Sequence, residues 1–206
     1  MKQLLNPKPY TLNPIFFLVA GPAGVGKSTL LTQLVAGETG LVKAISVTTR
    51  PPRAGEVEGA AYYFWDEARF KAALSRGEFL EQAVVHGHHY GTPARFVAEK
   101  LAAGLDVIKD IDVQGVQQVR RTQAYRYPGS VAIFILPPSH DELVRRLKGR
   151  GSEDAQTFAM RLKTAENELL HVSEYDYVVV NDNLPDALAH LKAIRLAEHC
   201  KRERRA

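Results

Sequence analysis

Residues Gly21-Pro22-Ala23-Gly24-Val25-Gly26-Lys27-Ser28 meet the pattern G-x-x-x-x-G-K-[ST] at every fixed position. Glycines at this spacing let successive backbone N–H groups wrap an anion, and the start of a helix adds partial positive charge. Lys27 then reaches the β- and γ-phosphates of a nucleoside triphosphate, and Ser28 offers a hydroxyl to magnesium. The pattern names a donor nucleotide and is silent on the acceptor.

Four further groups of residues could serve that acceptor. In the segment from Ser46 to Glu56, Arg50 and Arg53 flank the pair Pro51-Pro52, and Tyr62 follows. Two guanidinium forks three residues apart on a stiff turn can face one phosphate, although the same residues equally describe a solvated loop. Gly77-Glu78-Phe79-Leu80-Glu81 precedes a polar stretch, His86-Gly87-His88-His89-Tyr90-Gly91-Thr92. Its histidines lack a nearby cysteine and an evident helix face, so a polar turn in which Tyr90 and Thr92 matter describes it better than a zinc site. Asp110 and Asp112 lie two apart at the end of an apolar run, toward the crevice where open parallel sheets bind ligands. They suit magnesium or a polar ligand, and they also suit a capping turn for the next helix. Finally, Arg146, Arg150 and Arg161 flank Gly149-Arg150-Gly151, whose glycines offer conformational freedom. Positioned arginines are what phosphoryl transfer needs, because charge spreads over the transferring oxygens.

Stepping out from these residues, five short apolar runs at 15–20, 44–48, 105–111, 131–136 and 177–180 alternate with helical patterns. The runs do not alternate apolar with polar, so both their faces are buried, and a parallel sheet covered by helices follows. The first run leads into the glycine segment, and a helix carrying Leu30, Leu31, Leu34 and Val35 leads out of it. Ser139-His140-Asp141-Glu142 has capping-box spacing and starts a helix; Phe158, Leu162, Ala165 and Leu169 form one helical stripe. Residues 46–96 break the alternation with short strands around a helix near 66–76, and read as an insertion in the main fold.

The chain of 206 residues is 45% hydrophobic and 24% charged, enough for one sizeable core and too little charge bias for general disorder. Its net charge of +4 is concentrated in the tail Lys201-Arg202-Glu203-Arg204-Arg205, so the fold carries no basic stripe for nucleic acid. The single cysteine, Cys200, fits a reducing cytosol. No run approaches the ~20 apolar residues of a membrane span, so neither membrane insertion nor secretion is expected. Residues 1–14 read as an irregular leader, 15–200 as the domain and 201–206 as a basic tail.

Taken in order, these segments resemble guanylate kinase over roughly residues 15–197. The resemblance rests on Gly21–Ser28, Ser46 to Glu56, Glu81, Tyr90-Gly91-Thr92, Asp110-Ile111-Asp112-Val113-Gln114-Gly115, Gly149-Arg150-Gly151 and Val180-Asn181-Asp182. It implies an α/β fold of the P-loop kind, with an inserted acceptor-binding subdomain at about 46–96 and a short mobile lid at about 149–165. It implies ATP and GMP, with dGMP as a further acceptor, as substrates, magnesium as cofactor and a cytoplasmic enzyme. The ATP would meet Gly21, Pro22, Ala23, Gly24, Val25, Gly26, Lys27, Ser28 and Thr29, with Asn181 beside the adenine. The GMP phosphate would be held by Arg50, Arg53, Tyr62 and Tyr90, and the guanine by Ser46, Glu81, Thr92 and Asp112. Lys27, Arg50, Arg146, Arg150 and Arg161 would act in transfer, and magnesium would meet Ser28 and, through a water, Asp110. Oligomeric state is left open. Two related possibilities are a kinase of ribose 1,5-bisphosphate, which the guanine set argues against, and a non-catalytic interaction module, which the intact phosphate loop argues against. Two features depart from the family pattern. Lys109 stands where that family usually has an apolar residue, and a buried ammonium there needs a partner such as Asp110 or an exit to the edge. The 86–89 stretch carries surplus imidazole, which could lend pH dependence near neutrality.

Overall fold

Branched and aromatic side chains that alternate along each strand feed two separate hydrophobic cores, and this decides the architecture. The computed structural model describes residues 13–85, 87–126, 129–149 and 155–201. In chain order the elements are β1 (Phe16–Ala20), α1 (Lys27–Gly37), β2 (Leu41–Lys43), β3 (Val47–Thr48), β4 (Tyr63–Phe64), α2 (Glu67–Ser75), β5 (Phe79–Val85), β6 (His88–Pro93), α3 (Ala94–Ala102), β7 (Asp106–Asp110), α4 (Val113–Arg126), β8 (Val131–Leu136), α5 (His140–Lys148), α6 (Ala155–Leu169), β9 (Tyr177–Val180) and α7 (Leu184–Cys200). A five-stranded parallel sheet runs in the order β2-β7-β1-β8-β9. Phe17 and Val19 of β1 join Ile108, Ile133 and Ile135 against α1 and α7, while Phe16, Leu18 and Ala20 join Val107, Ala132 and Phe134 against α3 and α4. The sheet is therefore covered on both faces, as its unbroken apolar runs require.

A second sheet, in the order β4-β3-β6-β5, has all its strands between residues 47 and 93 and is mixed: β3 pairs parallel with β4 and antiparallel with β6, and β5 pairs antiparallel with β6. The apolar run at 44–48 does not form one core strand as its composition predicts. The edge strand of the core sheet is Leu41–Lys43, extended by the Ala44 N–H donating to the Ile108 carbonyl at 2.8 Å, and Val47–Thr48 belong to the second sheet. The run is buried because it lies where the two sheets meet, and Ser46 falls in the break between them.

Helix starts follow local chemistry. Ser139 Oγ accepts the Glu142 N–H at 3.2 Å, Asp66 accepts the Arg69 N–H at 2.7 Å, and Asn183 accepts the Asp186 N–H at 3.0 Å. The stripe of α6 packs on α5, with Ala165, Phe158, Leu162 and Leu169 against Leu143 and Leu147. Among the described residues no helix is long and apolar enough to cross a membrane. The leader at 1–12, His86, the stretch 150–154 that includes Arg150 and Gly151, and the tail from 202 onward lie outside the described residues.

One buried carboxylate ties the start of β7 to both chain-distant neighbours. Asp106, 2% exposed, accepts the Ile15 N–H at 2.8 Å, Arg195 Nε at 2.7 Å and pairs with His199 Nε2 at 2.7 Å. Arg195 also reaches Glu38 at 2.8 Å, so β1, β7, α1 and α7 share one polar knot. Asp106→Ala leaves buried donors without an acceptor, and the expected loss is about 3 kcal/mol of unfolding free energy in urea denaturation. The knot lies at the start of β7, at the other end of that strand from Asp110.

Candidate active site

The glycine segment leaves β1 as a loop pressed against its neighbours. At Gly21, φ is +143°, and a Cβ there would lie 2.3 Å from the Ile135 carbonyl oxygen of β8. Gly26, at φ +94°, is the residue that caps α1, and no side chain caps that helix. Its first-turn N–H groups, at Lys27, Ser28 and Thr29, thus remain directed into the loop as an anion-binding set. Lys27 Nζ lies over the loop, donating to the carbonyls of Gly21 and, at 3.3 Å, of Pro22. These are neutral acceptors that an anion can replace. Asn181, buried at the end of β9, donates from Nδ2 to the Val25 carbonyl at 2.7 Å, so it braces the loop from behind.

Beside the loop lies a cavity of about 260 Å³. Ser28, Asp110 and Asp112 line its loop end, and Ser46, Tyr62, Glu81, Tyr90 and Lys109 line the rest. Ser28 Oγ donates to Asp110 Oδ2 at 3.3 Å, which puts two hard oxygen atoms together at the strand end. Asp112 does different work: its Oδ1 accepts the Gly115 N–H at 2.6 Å and caps α4, while the residue still faces the cavity. The capping-turn reading therefore applies to Asp112, while Asp110 meets Ser28 at the cavity.

The wall formed by the second sheet carries a buried carboxyl. Glu81 is 9% exposed on β5, and Thr92 Oγ1 donates to it at 2.5 Å from β6. Burial pushes its carboxyl above the usual carboxylate range, while the charge of Lys109 and the Thr92 hydroxyl pull it back. Thr92 is itself 1% exposed and does not line the cavity, so it acts on Glu81 rather than facing a ligand. The rings of Tyr62 and Tyr90 meet edge to face at 5.9 Å, and the Arg50 guanidinium lies 5.6 Å from the Tyr62 ring centre. Burial raises the Tyr62 phenol, so it stays a neutral hydrogen-bond donor. Arg50 and Arg53 are not among the residues that line the cavity. Arg50 Nη2 donates to both carboxylate oxygens of Glu56, at 2.8 and 2.9 Å, while Nη1 donates to the Pro51 carbonyl at 2.6 Å, and Glu56 also accepts the Arg53 N–H at 2.7 Å. The Arg53 side chain is exposed.

Arg146 is anchored on the other side of the loop. Its guanidinium bonds Glu142 at 2.6 Å and the Asn181 carbonyl at 3.0 Å. Hydrogen bonds from Arg145 and Arg146 hold the Glu142 carboxyl down to about 2, so this anchor stays charged at any working pH. Arg161 lies on α6, and Arg150 falls outside the described residues. His89, from the surplus imidazoles, stacks on Phe70 at 5.0 Å in the second sheet's own packing and does not line the cavity.

Two residues were not singled out by sequence. Glu56 shapes the Arg50 fork, and its signal was the spacing of six within a turn already marked by two arginines. Glu168, on α6, is half-buried near Lys27 and the Ala23 N–H, and burial holds its carboxyl above the usual range despite the Lys27 charge. A glutamate in the last turn of a helix carries no sequence signal for that position, because only the packing of α6 against the loop brings it there.

The guanylate kinase family model matches residues 14–198. The chain is similar to a guanylate kinase from Dechloromonas aromatica, 47% identical over 178 residues and 86% of each chain. It is similar to another from Caldanaerobacter subterraneus, 44% identical over 190 residues, 92% of this chain and 90% of that one. A crystal structure of guanylate kinase from Anaplasma phagocytophilum superimposes with a TM-score of 0.74 at 32% identity, over 96% of this chain and 92% of the other.

The approach of Gly21 to β8 leaves no room for a methyl group, and its φ is one that side chains rarely adopt. Gly21→Ala is expected to weaken nucleoside triphosphate binding by at least about tenfold in titration calorimetry, with a stability loss of about 2 kcal/mol.

Proposed function

The chain belongs to the guanylate kinase family, and on that premise we propose how its residues carry the reaction of that family. It is an enzyme, an ATP:GMP phosphotransferase that converts ATP and GMP to ADP and GDP. The observation that carries the residue-level reading is the shared cavity: loop-side Ser28 and Asp110 and acceptor-side Ser46, Tyr62, Glu81 and Tyr90 line one space. Donor and acceptor phosphates can therefore meet without a covalent enzyme intermediate.

The triphosphate lies along Gly21–Thr29, with loop N–H groups and Lys27 on its oxygens and the adenine toward Asn181. The acceptor phosphate takes the Arg50 fork together with Arg53, Tyr62 and Tyr90. An oxygen of that phosphate, already anionic, attacks the γ-phosphorus, and the bond from that phosphorus to the bridging β-oxygen breaks as ADP leaves. The protein mainly aligns the two and neutralises charge. Lys27 and Arg50, joined by Arg146, Arg150 and Arg161 as segment 149–165 closes as a lid, spread positive charge around the transferred group, and closure excludes water. Ser28 and Asp110 supply oxygen donors of the kind magnesium prefers, Asp110 acting through a water. Magnesium held there would neutralise charge on the triphosphate.

Glu81 selects the base. Guanine presents N1–H beside its 2-amino group, and a carboxylate accepts from both, whereas adenine places an acceptor at N1 and leaves the carboxylate unmatched. Thr92 orients Glu81, and Ser46 and Asp112 complete the guanine contacts. The contacts named reach the base and phosphate and not the sugar's 2′-hydroxyl, so dGMP serves as a second acceptor. The lone cysteine fits a reducing compartment, and the reading places the enzyme in the cytoplasm, in guanine nucleotide recycling.

A coupled ADP-release assay with GMP, dGMP, AMP, CMP, UMP and ribose 1,5-bisphosphate should show turnover with GMP and dGMP alone; turnover with the ribose ester would overturn the acceptor assignment. Lys27→Met should lower kcat at least about 100-fold while GMP affinity holds. Because Glu81 must be ionised to accept two N–H groups and burial raises its pKa, KM for GMP should climb as pH falls through a range above that of an ordinary carboxylate. In Glu81→Gln the same plot should lose that acid limb.

A further inference from the structure

Lys109 is a buried cation that the reaction as described does not use. It sits on β7, in register with Leu18 of β1, and is 6% exposed. Its face is that of Val107, which packs toward α3, α4 and the second sheet. The ammonium lines the cavity and donates to Ser46 Oγ, its hydrogen-bond partner among the described residues. Burial lowers its pKa, and Lys43 of β2 adds to that, while three carboxylates, Glu81 from β5 and Asp110 and Asp112 beside it in the chain, favour its charge. Asp110 thus contributes charge, and the hydrogen bond goes to a serine hydroxyl at the break between the two sheets.

That hydrogen bond fixes a direction. A hydroxyl can donate or accept, but an ammonium has three donors and no acceptor. Ser46 Oγ must accept from Lys109, and its own proton is free to donate into the cavity. Glu81 lines the same cavity and only accepts when ionised. The cavity thus offers a donor and an acceptor. The six-membered edge of guanine offers the complement, an acceptor at the C6 carbonyl, then donors at N1 and the 2-amino group.

We propose that Lys109 is a positioning residue for base selection: by donating to Ser46 it locks that hydroxyl as a donor toward the C6 carbonyl of guanine, and its charge balances Glu81 behind the base. The inference rests on the reading that this cavity takes GMP. It explains how a cation can occupy an otherwise apolar strand position, since an unpaired carboxylate in the same wall would be costly. A purine with an amino group at C6 meets a donor facing a donor, which adds to the mismatch at N1.

The test compares GMP with 6-thioguanosine monophosphate, which keeps N1–H and the 2-amino group but offers a thione, a weak acceptor, at C6. The unaltered enzyme should favour GMP by about tenfold in kcat/KM. Lys109→Met should bring that ratio to within about threefold, acting through KM for GMP, with kcat and KM for ATP changed less than twofold. Ser46→Ala should do the same, the double variant should add nothing further, and Lys109→Arg, also a pure donor, should recover part of the preference. A Lys109→Met enzyme that keeps the full ratio while Ser46→Ala loses it overturns the proposal. So does an unaltered enzyme that treats the two substrates alike, a result that needs no variant to fold. If Ser46→Ala and Glu81→Gln both leave selection of GMP over AMP intact, the failure lies instead with the placement of guanine in this cavity.

Discussion

The close approach of Gly21 to the Ile135 carbonyl sets the position of the whole glycine loop. With no side chain at residue 21, the loop lies flat against β8 and turns directly into α1. The Val25 carbonyl is then close enough for Asn181 to hold, and the Asn181 carbonyl in turn receives Arg146. A chain of short contacts therefore runs from the loop to the end of β9 and on to α5. Moving the loop outward by the width of a methyl group would loosen each member in sequence, because close-packed interiors transmit displacement.

The acceptor side is governed by charge balance rather than by backbone fit. Glu81 and Lys109 are both drawn toward neutrality by burial and toward ionisation by each other. Removing Lys109 takes from Glu81 the charge that most opposes its burial, whereas Arg50 and Glu56 balance each other away from that wall. That wall is thus costly to change. Glu56, by contrast, holds the Arg50 guanidinium through one nitrogen, Nη2, which donates to both carboxylate oxygens.

Much of this was legible in the residues themselves. The loop, the strand before it and the helix after it follow from one eight-residue pattern, and the runs 131–136 and 177–180 form strands with those bounds. Apolar runs and caps are local, and local signals survive into the fold. What could not be read was where a run changes sheets: 44–48 looks like one buried strand, and only the meeting of two sheets divides it. The partners of buried charges were equally hidden. Lys109 meets Ser46 across 63 positions, and Asp106 meets His199 across 93, pairings that no spacing within a helix or strand encodes.

The order of strands in the main sheet bears on how the molecule is made. β1, which delivers the phosphate loop, is the central strand, yet Phe17 pairs with Ile108 on one side and Val131 on the other. During synthesis the loop emerges early, and β8, the strand it leans on, follows only after more than a hundred further residues. The knot at Asp106 closes later still, when Arg195 and His199 of the last helix arrive. Pairings so distant along the chain are slow to form, and a nascent chain exposes the apolar faces of β1 throughout the wait. A product truncated before β8 would therefore carry the whole glycine loop and lack the strand against which that loop packs.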